Sequence, residues 1–432
     1  MEFNIVDFGG VGDGMTSNTA AFREAVSKAA GGGRVLVPDG IWLTGPIELM
    51  TGVELHLADN AVILFDKSKE EYPLQVTDYE GIERIRTLSP LYADHADNIS
   101  VTGNGTIDGS GHLWRPVKQF KMTERQWNAL LAKAPYVVDS KEGGIWMPTE
   151  TAYKGRAEGE RYPDEEDALE KAAPFYDFYR PVMVNFKHCK NVRLENVRIQ
   201  NSPAWAVHLF FCEDVLVKGI NVENPYHAQN GDGIDIESCK NVEVCYSNFH
   251  VGDDGICIKS GKNAKARQIP GKSENIHIHH CYVGQSHGGF VVGSEMSRGV
   301  RNILVEDCTF IDADVGVRFK SALGRGGVVE DITIRRINMV NIKEEAFIFT
   351  MAYVHSIMDY VVEDKLNNDD SDVPYFRNIN ISDCNCVNAK IGVKVNGLED
   401  IPEAISDITF ENVKIKAEIP DELVACRNVV FL

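Results

Sequence analysis

Four short stretches hold the side chains best suited to chemistry: Asn230-Gly231-Asp232-Gly233, Gly252-Asp253-Asp254-Gly255, Ser286-His287-Gly288-Gly289 and Arg318-Phe319-Lys320. Together they offer three carboxylates, an imidazole and two cations. Carboxylates sharing a small space cannot all ionise, so one keeps its proton while another stays charged. A protonated and an ionised carboxyl facing one bond suit glycosidic hydrolysis: the first protonates the leaving oxygen, the second activates water. An arginine and a lysine beside them would pair with a carboxylate on the sugar itself, which points to a polymer of uronic acids. The parts have plainer readings. Asp-Gly is a common turn pair, and clustered carboxylates bind calcium. Turn chemistry leaves His287, Arg318 and Lys320 unexplained, and the two cations oppose a calcium ion.

These stretches act together only if the fold stacks them, and an internal repeat predicts that it does. A phrase of Asn or Asp, then Ile or Val, any residue and an apolar residue recurs at Asn98, Asn191, Asp214, Asn241, Asn275, Asn302, Asp331, Asn378 and Asp407. From Asn191 the intervals are 23, 27, 34, 27, 29, 47 and 29 residues. Each phrase alternates apolar and polar as a half-buried strand does. One coil of this length cannot bury its own inner face; stacked coils can. Leucine-rich repeats are the rival, but leucines are too few and β-branched residues too many.

A second strand follows each of Gly233, Gly255, Gly289, Gly316 and Gly392. In this register the first and third residues after the glycine are apolar and point inward. The alternation puts Asp235, Lys259, Arg318 and Lys320 on one outer surface. Asp232 and Asp254 fall just before their glycines, and Asp253 and His287 one place earlier. The prediction is an all-β protein, a right-handed parallel β-helix forming a single domain over residues 1–432. Residues 1–50 form an N-terminal cap, in which Thr19 to Ala30 is an amphipathic helix ended by three glycines. Residues 111–180 break the rhythm as a helical insertion packed on the solenoid, with a capping box from Thr123 to Gln126 opening a helix through Ala134. A second excursion, roughly 351–376, carries the acidic run Glu363 to Asp372, expected as a solvated loop.

The chain has 432 residues and a formal net charge of −20 from 44 basic and 64 acidic side chains. That balance argues against nucleic acid and anionic membrane as partners. No apolar run is long enough to span a bilayer. Gly9 to Gly14 lacks the order and the preceding strand of a nucleotide-binding loop. The start of the chain shows no secretion signal, so the expectation is a cytoplasmic protein whose ten cysteines are reduced and mostly buried. Six of them keep step with the repeat, as stacked core residues would. None forms a paired CxxC, so no metal site is expected, and nothing implies a cofactor.

In order, the four stretches resemble the motifs of glycoside hydrolase family 28, the polygalacturonase family: Asn-Thr-Asp, an Asp-Asp pair, Gly-His-Gly and Arg-Ile-Lys. Phe8 to Gly14 also resembles the start of many pectin-active β-helices. The resemblance implies inverting hydrolysis of α-1,4-galacturonosidic bonds in pectic oligosaccharides. It implies Asp253 as general acid, Asp232 and Asp254 as the groups that hold and activate water, and His287 as support for the acid. Arg318 and Lys320 would bind the galacturonate carboxylate. Gly231, Ser286 and Phe319 depart from the family pattern and touch substrate detail more than activity. Lys259 and His208, on the same outer face, are candidate sugar contacts. Bacterial exo-acting members are the nearest in character, and the insertion would wall off one end of the groove. The competing readings are a rhamnogalacturonan or unsaturated-oligosaccharide hydrolase of the same family, a β-eliminating lyase on the same fold, and a non-catalytic carbohydrate-binding β-helix.

Overall fold

The computed structural model describes residues 1–68, 70–140, 143–353 and 370–432. Its core is a right-handed parallel β-helix. Successive coils build a 13-stranded parallel sheet running from Glu2–Asn4 to Arg427–Phe431. The other two rows of strands form a 20-stranded sheet, merged where the long strands Asn338–Thr350 and Asn385–Asn396 turn from one row into the next. A middle coil reads Lys240–Cys245, Asn248–His250, Asp254–Lys259, with a bend between each pair.

The recurring phrase has a backbone cause. All nine anchors adopt the left-handed conformation, from Asn378 at φ 51° to Asn275 and Asp331 at 58°. Asn and Asp tolerate it better than other non-glycine residues. Their side chains then bridge neighbouring coils: Asn191 to Asn98, Asn241 to Asp214, Asn275 to Asn241, Asn302 to Asn275 and Asn378 to Asp331, at 2.5 to 3.1 Å. The anchor thus bends each strand at its start and ties it to the coil below.

The glycine register holds. Ile234, Ile256, Phe290, Val317, Phe347 and Val393 pair one above another and are buried. The coil carrying Phe347 escapes an alignment made on glycine because Ala346 precedes it. Glycine is required where the coils approach: a Cβ on Gly233 would lie 2.4 Å from the Gly255 carbonyl oxygen, and one on Gly289 2.7 Å from that of Gly316. The capping helix is Thr19–Ala29, its Phe22, Ala25, Val26 and Ala29 joining the core. The sulfurs stack along the core too: the Cys212 and Cys281 amides point at the sulfurs of Cys239 and Cys308.

Two excursions lie over the row of strands that carries the candidate residues. One is an antiparallel hairpin, Leu74–Tyr79 with Ile82–Thr87, which the repeat pattern does not announce. The other is the 111–180 region. It contains the expected capped helix, Glu124–Lys133 with both arms of the capping box, plus Glu150–Glu158 and a small three-stranded antiparallel sheet. Of the acidic run, residues 363–369 lie outside the described residues. Its end is no solvated loop: Asp372 is buried and accepts from Arg267 Nη2 at 2.7 Å.

Candidate active site

The coil stack brings the four stretches together. Carboxylate oxygens of Asp232, Asp253 and Asp254 lie within 4.8 Å of one another. They line a cavity of about 460 Å³ together with His287, Arg318, Lys320 and Lys259. The wall opposite comes from the excursions: Tyr79, Arg84 and Arg86 of the hairpin, and Trp114, Lys118, Phe120, Lys121, Tyr162 and Arg180 of the 111–180 region.

Charge separates the carboxylates. Burial alone would raise the Asp254 carboxyl, but the Lys320 and Arg318 cations outweigh it and hold it at about 2. Lys320 Nζ sits 2.7 Å from Asp254 Oδ2, occupying the place a metal ion would need on that oxygen. Asp232 goes the other way. Burial, and then the crowding of the Asp235 and Asp253 carboxyls against it, push its own carboxyl well above the ordinary carboxylate range. Asp253 is less buried; its Oδ2 accepts from the Asn230 amide at 3.2 Å. Below them Asp235 is wholly enclosed, with neither oxygen hydrogen-bonded, and burial raises it too. Lys259 reaches Glu295 at 3.0 Å and Asp235 only at 3.6 Å, so the charged pair is Lys259–Glu295 and Asp235 keeps its proton.

His287 is held at both ring nitrogens. Nδ1 lies 3.0 Å from Asp314 Oδ2, and Arg318 Nη1 lies 2.7 Å from Nε2. A guanidinium only donates, so Nε2 accepts and the ring hydrogen sits on Nδ1, facing Asp314. Asp314 is a site residue the motifs do not name. The register announces it, because it stands two places before Gly316 as His287 does before Gly289 and Asp253 before Gly255. Tyr353, whose ring lies 5.3 Å from Lys320 Nζ and 5.7 Å from the Arg318 guanidinium, has no such signal.

The backbone carrying the acids is tethered from the 111–180 region. Lys121 Nζ donates to the carbonyls of Gly252 (3.0 Å) and Tyr226 (3.1 Å). Arg180 donates to the carbonyls of Pro203 and Gln229 and to Asn230 Oδ1 at 2.7 Å.

Two expectations need correction. His208 faces outward on its strand but is 0% exposed, its Nε2 2.9 Å from Glu237 and its ring edge-on to Trp205 at 5.1 Å. It supports Trp205 and does not reach a sugar. The outer surface predicted for Asp235, Lys259 and Lys320 is roofed over, leaving all three buried. Most aromatics of the 111–180 region pack the excursion itself. Trp127 and Trp146 form one cluster, Phe175 and Tyr179 another, and the Tyr176 hydroxyl donates to the Tyr72 carbonyl. Trp114, Phe120, Tyr162 and Phe178 line the cavity instead. Among the cations Arg115 is spent on Ser202 and Asn201, while Lys118 and Arg180 face the cavity.

A solenoid with stacked acids, an imidazole and paired cations in one roofed trough defines a carbohydrate-active β-helix. Residues 158–358 match the model of glycosyl hydrolases family 28. A probable polygalacturonase of Vitis vinifera is 30% identical over 428 residues, covering 95% of this chain and 74% of that protein. The exo-poly-alpha-D-galacturonosidase of Dickeya chrysanthemi is 26% identical, covering 97% and 68%. The crystal structure of a hyperthermoactive exopolygalacturonase from Thermotoga maritima aligns with a TM-score of 0.79 at 30% identity, over 100% of this chain and 91% of that one. The chain belongs to glycosyl hydrolase family 28, and it is a glycoside hydrolase.

Proposed function

We propose that the protein hydrolyses α-1,4-galacturonosidic bonds from a chain end of pectic oligosaccharides, releasing galacturonic acid. The observation that carries the reading is the carboxylate trio facing Lys259, Arg318 and Lys320 inside a cavity walled by the hairpin and the 111–180 region. The relatives named above as exo-acting on polygalacturonate support it. In this mechanism Asp253, the least enclosed of the three acids, protonates the leaving oxygen. Asp254, kept ionised by Lys320, takes the proton from water. Asp232, which favours its neutral form, holds that water beside Asp254. Arg318 leaves the His287 nitrogen to take the substrate carboxylate, for which its forked geometry is suited.

One oxygen of each acid lies within 4.8 Å of the others, a span that a single water can bridge, whereas inverting glycosidases usually leave ~6.5–9.5 Å between the carboxyl groups for it. Inversion here therefore needs the water gripped directly by two of the acids. Proton NMR of the first-formed product checks this, and the expected anomer is β; an initial α product would mean a covalent intermediate instead.

A β-eliminating lyase needs a neutral amine or guanidine as base. Lys320 is pushed up from its ordinary value, because Asp254 outweighs the effect of burial, which disfavours it as that base. Product analysis on polygalacturonate tests the whole reading. Monomer is expected first, with new reducing ends and no ultraviolet absorbance from a double bond. Mixed oligomers with a rapid fall in viscosity would overturn the exo assignment.

A further inference from the structure

The outer wall of the 13-stranded sheet carries a second group of side chains with chemistry in them, a full strand row away from the catalytic trough. The strands Lys240–Cys245 and Ser273–His279 lie side by side there, pairing Glu243 with His277 and Cys245 with His279. Val244 and Ile278 point into the core, so by alternation Glu243, Cys245, His277 and His279 all face outward. One ligand atom from each of Glu243, Cys245 and His279 lies within 4.8 Å of the others.

We infer that Glu243, Cys245 and His279 form a binding site for a borderline transition-metal ion of the zinc class, bridging two coils of the wall. A donor set of thiolate, imidazole and carboxylate suits zinc, cobalt or nickel and not calcium or magnesium. His279 is already arranged between partners, its Nε2 3.0 Å from Glu243 Oε1 and its Nδ1 2.8 Å from His280 Nδ1. The Cys245 sulfur sits at the base of the group, in a residue only 2% exposed. Zinc bonds of ~2.0–2.3 Å set tetrahedral ligand atoms roughly 3.3–3.8 Å apart, so the 3.0 Å contact between Glu243 and His279 must open slightly to admit the ion. The exposed Glu243 can supply that movement, and water completes the fourth position. A thiol must lose its proton to ligate a metal ion, so binding releases a proton and affinity rises with pH. The neighbouring charges are mixed: Lys218 lies near Cys245, and Glu306 takes up His277 at 2.9 Å and Arg335 and Arg336 at 2.6 Å. The ion joins two coils, so its effect is on stability; the catalytic acids stand on another row.

The test uses the full chain stripped with chelator and titrated with Co²⁺ alone, then Zn²⁺ alone. The expected result is one ion per chain with a thiolate-to-cobalt charge-transfer band, displaced by zinc. Zinc should raise Tm with kcat unchanged. Cys245→Ser should abolish the band, and His279→Ala and the exposed Glu243→Gln should each weaken binding about tenfold or more. Glu243→Gln guards against misfolding of the other two. His95→Ala, in a separate surface group of Asp94, His95 and His188, should bind as the unaltered chain does. The inference is overturned by a missing thiolate band, by a band that survives Cys245→Ser, or by binding lost in His95→Ala.

Discussion

Asp232 and Asp254 stand on adjacent coils, yet their environments drive them in opposite directions. Lys320 touches only Asp254, whereas Asp232 is enclosed among other acids. Two substitutions test the roles proposed for these acids. Replacing Asp253 by Asn should lower kcat by roughly 100-fold or more, the usual cost of losing a general acid, with circular dichroism unchanged; near-normal turnover would remove the assignment. Lys320→Ala should raise KM on galacturonides and also move the acid limb of the pH–rate profile to higher pH. The reason is that the ammonium now holds the Asp254 carboxyl down at about 2 against burial. An acid limb that stays put would place the base elsewhere. The same ion pair bears on stability. Asp254 is lowered in the folded protein, so its contribution is present above the unfolded value of roughly 4. It is lost as pH falls through about 2.

At the scale of the element, each strand start depends on a left-handed Asn or Asp whose side chain reaches the next coil. Asn275 both donates to Asn241 at 3.0 Å and accepts from Asn302 at 2.7 Å, at φ 58°. Asn275→Ala should cost about 1–3 kcal/mol, combining an unfavourable backbone conformation with two lost, exposed hydrogen bonds. Asn275→Gly should recover the backbone part, since glycine adopts this conformation freely. Urea denaturation of the three proteins separates the contributions; equal losses in both variants would show that the ladder bonds carry the whole effect.

At the scale of the molecule, the roof is tied to the segments that carry the acids. Lys121 and Arg180 hold the backbone around Gly252 and Asn230 from above, so removing residues 111–180 should abolish activity instead of converting an exo enzyme into an endo one. Phe120, 55% exposed and lining the cavity, offers a milder probe. Phe120→Ala should loosen the hold on substrate and raise KM several-fold while the product pattern stays monomeric; a shift to longer products would mean that this side chain itself closes the trough. The cysteines make a separate whole-chain prediction. All ten are free in the structure, and titration of the denatured, unreduced protein should find all ten.

The sequence by itself determined the coil stack and which side chains meet in the trough. Both are written in local order: alternation sets which side of a strand faces the core, and a left-handed Asn or a close-packed glycine marks each bend. That is why Asp232, Asp253, Asp254, His287, Arg318 and Lys320 could be placed on neighbouring coils from spacing alone, and why Asp314 was within reach of the same register. What covers that face was not legible. The hairpin at 74–87 and the folded path of 111–180 come from side chains meeting across long sequence separations, as Tyr79 meets Trp205 at 4.4 Å and Arg298 meets the Gly81 carbonyl at 2.9 Å. The roof decides that His208 is sealed away and that Asp235 keeps a proton, whereas Asp254 loses its own against that burial because Lys320 of a neighbouring coil touches it. Burial and charge contact set a side chain's chemistry, and neither is a property of its place in the repeat.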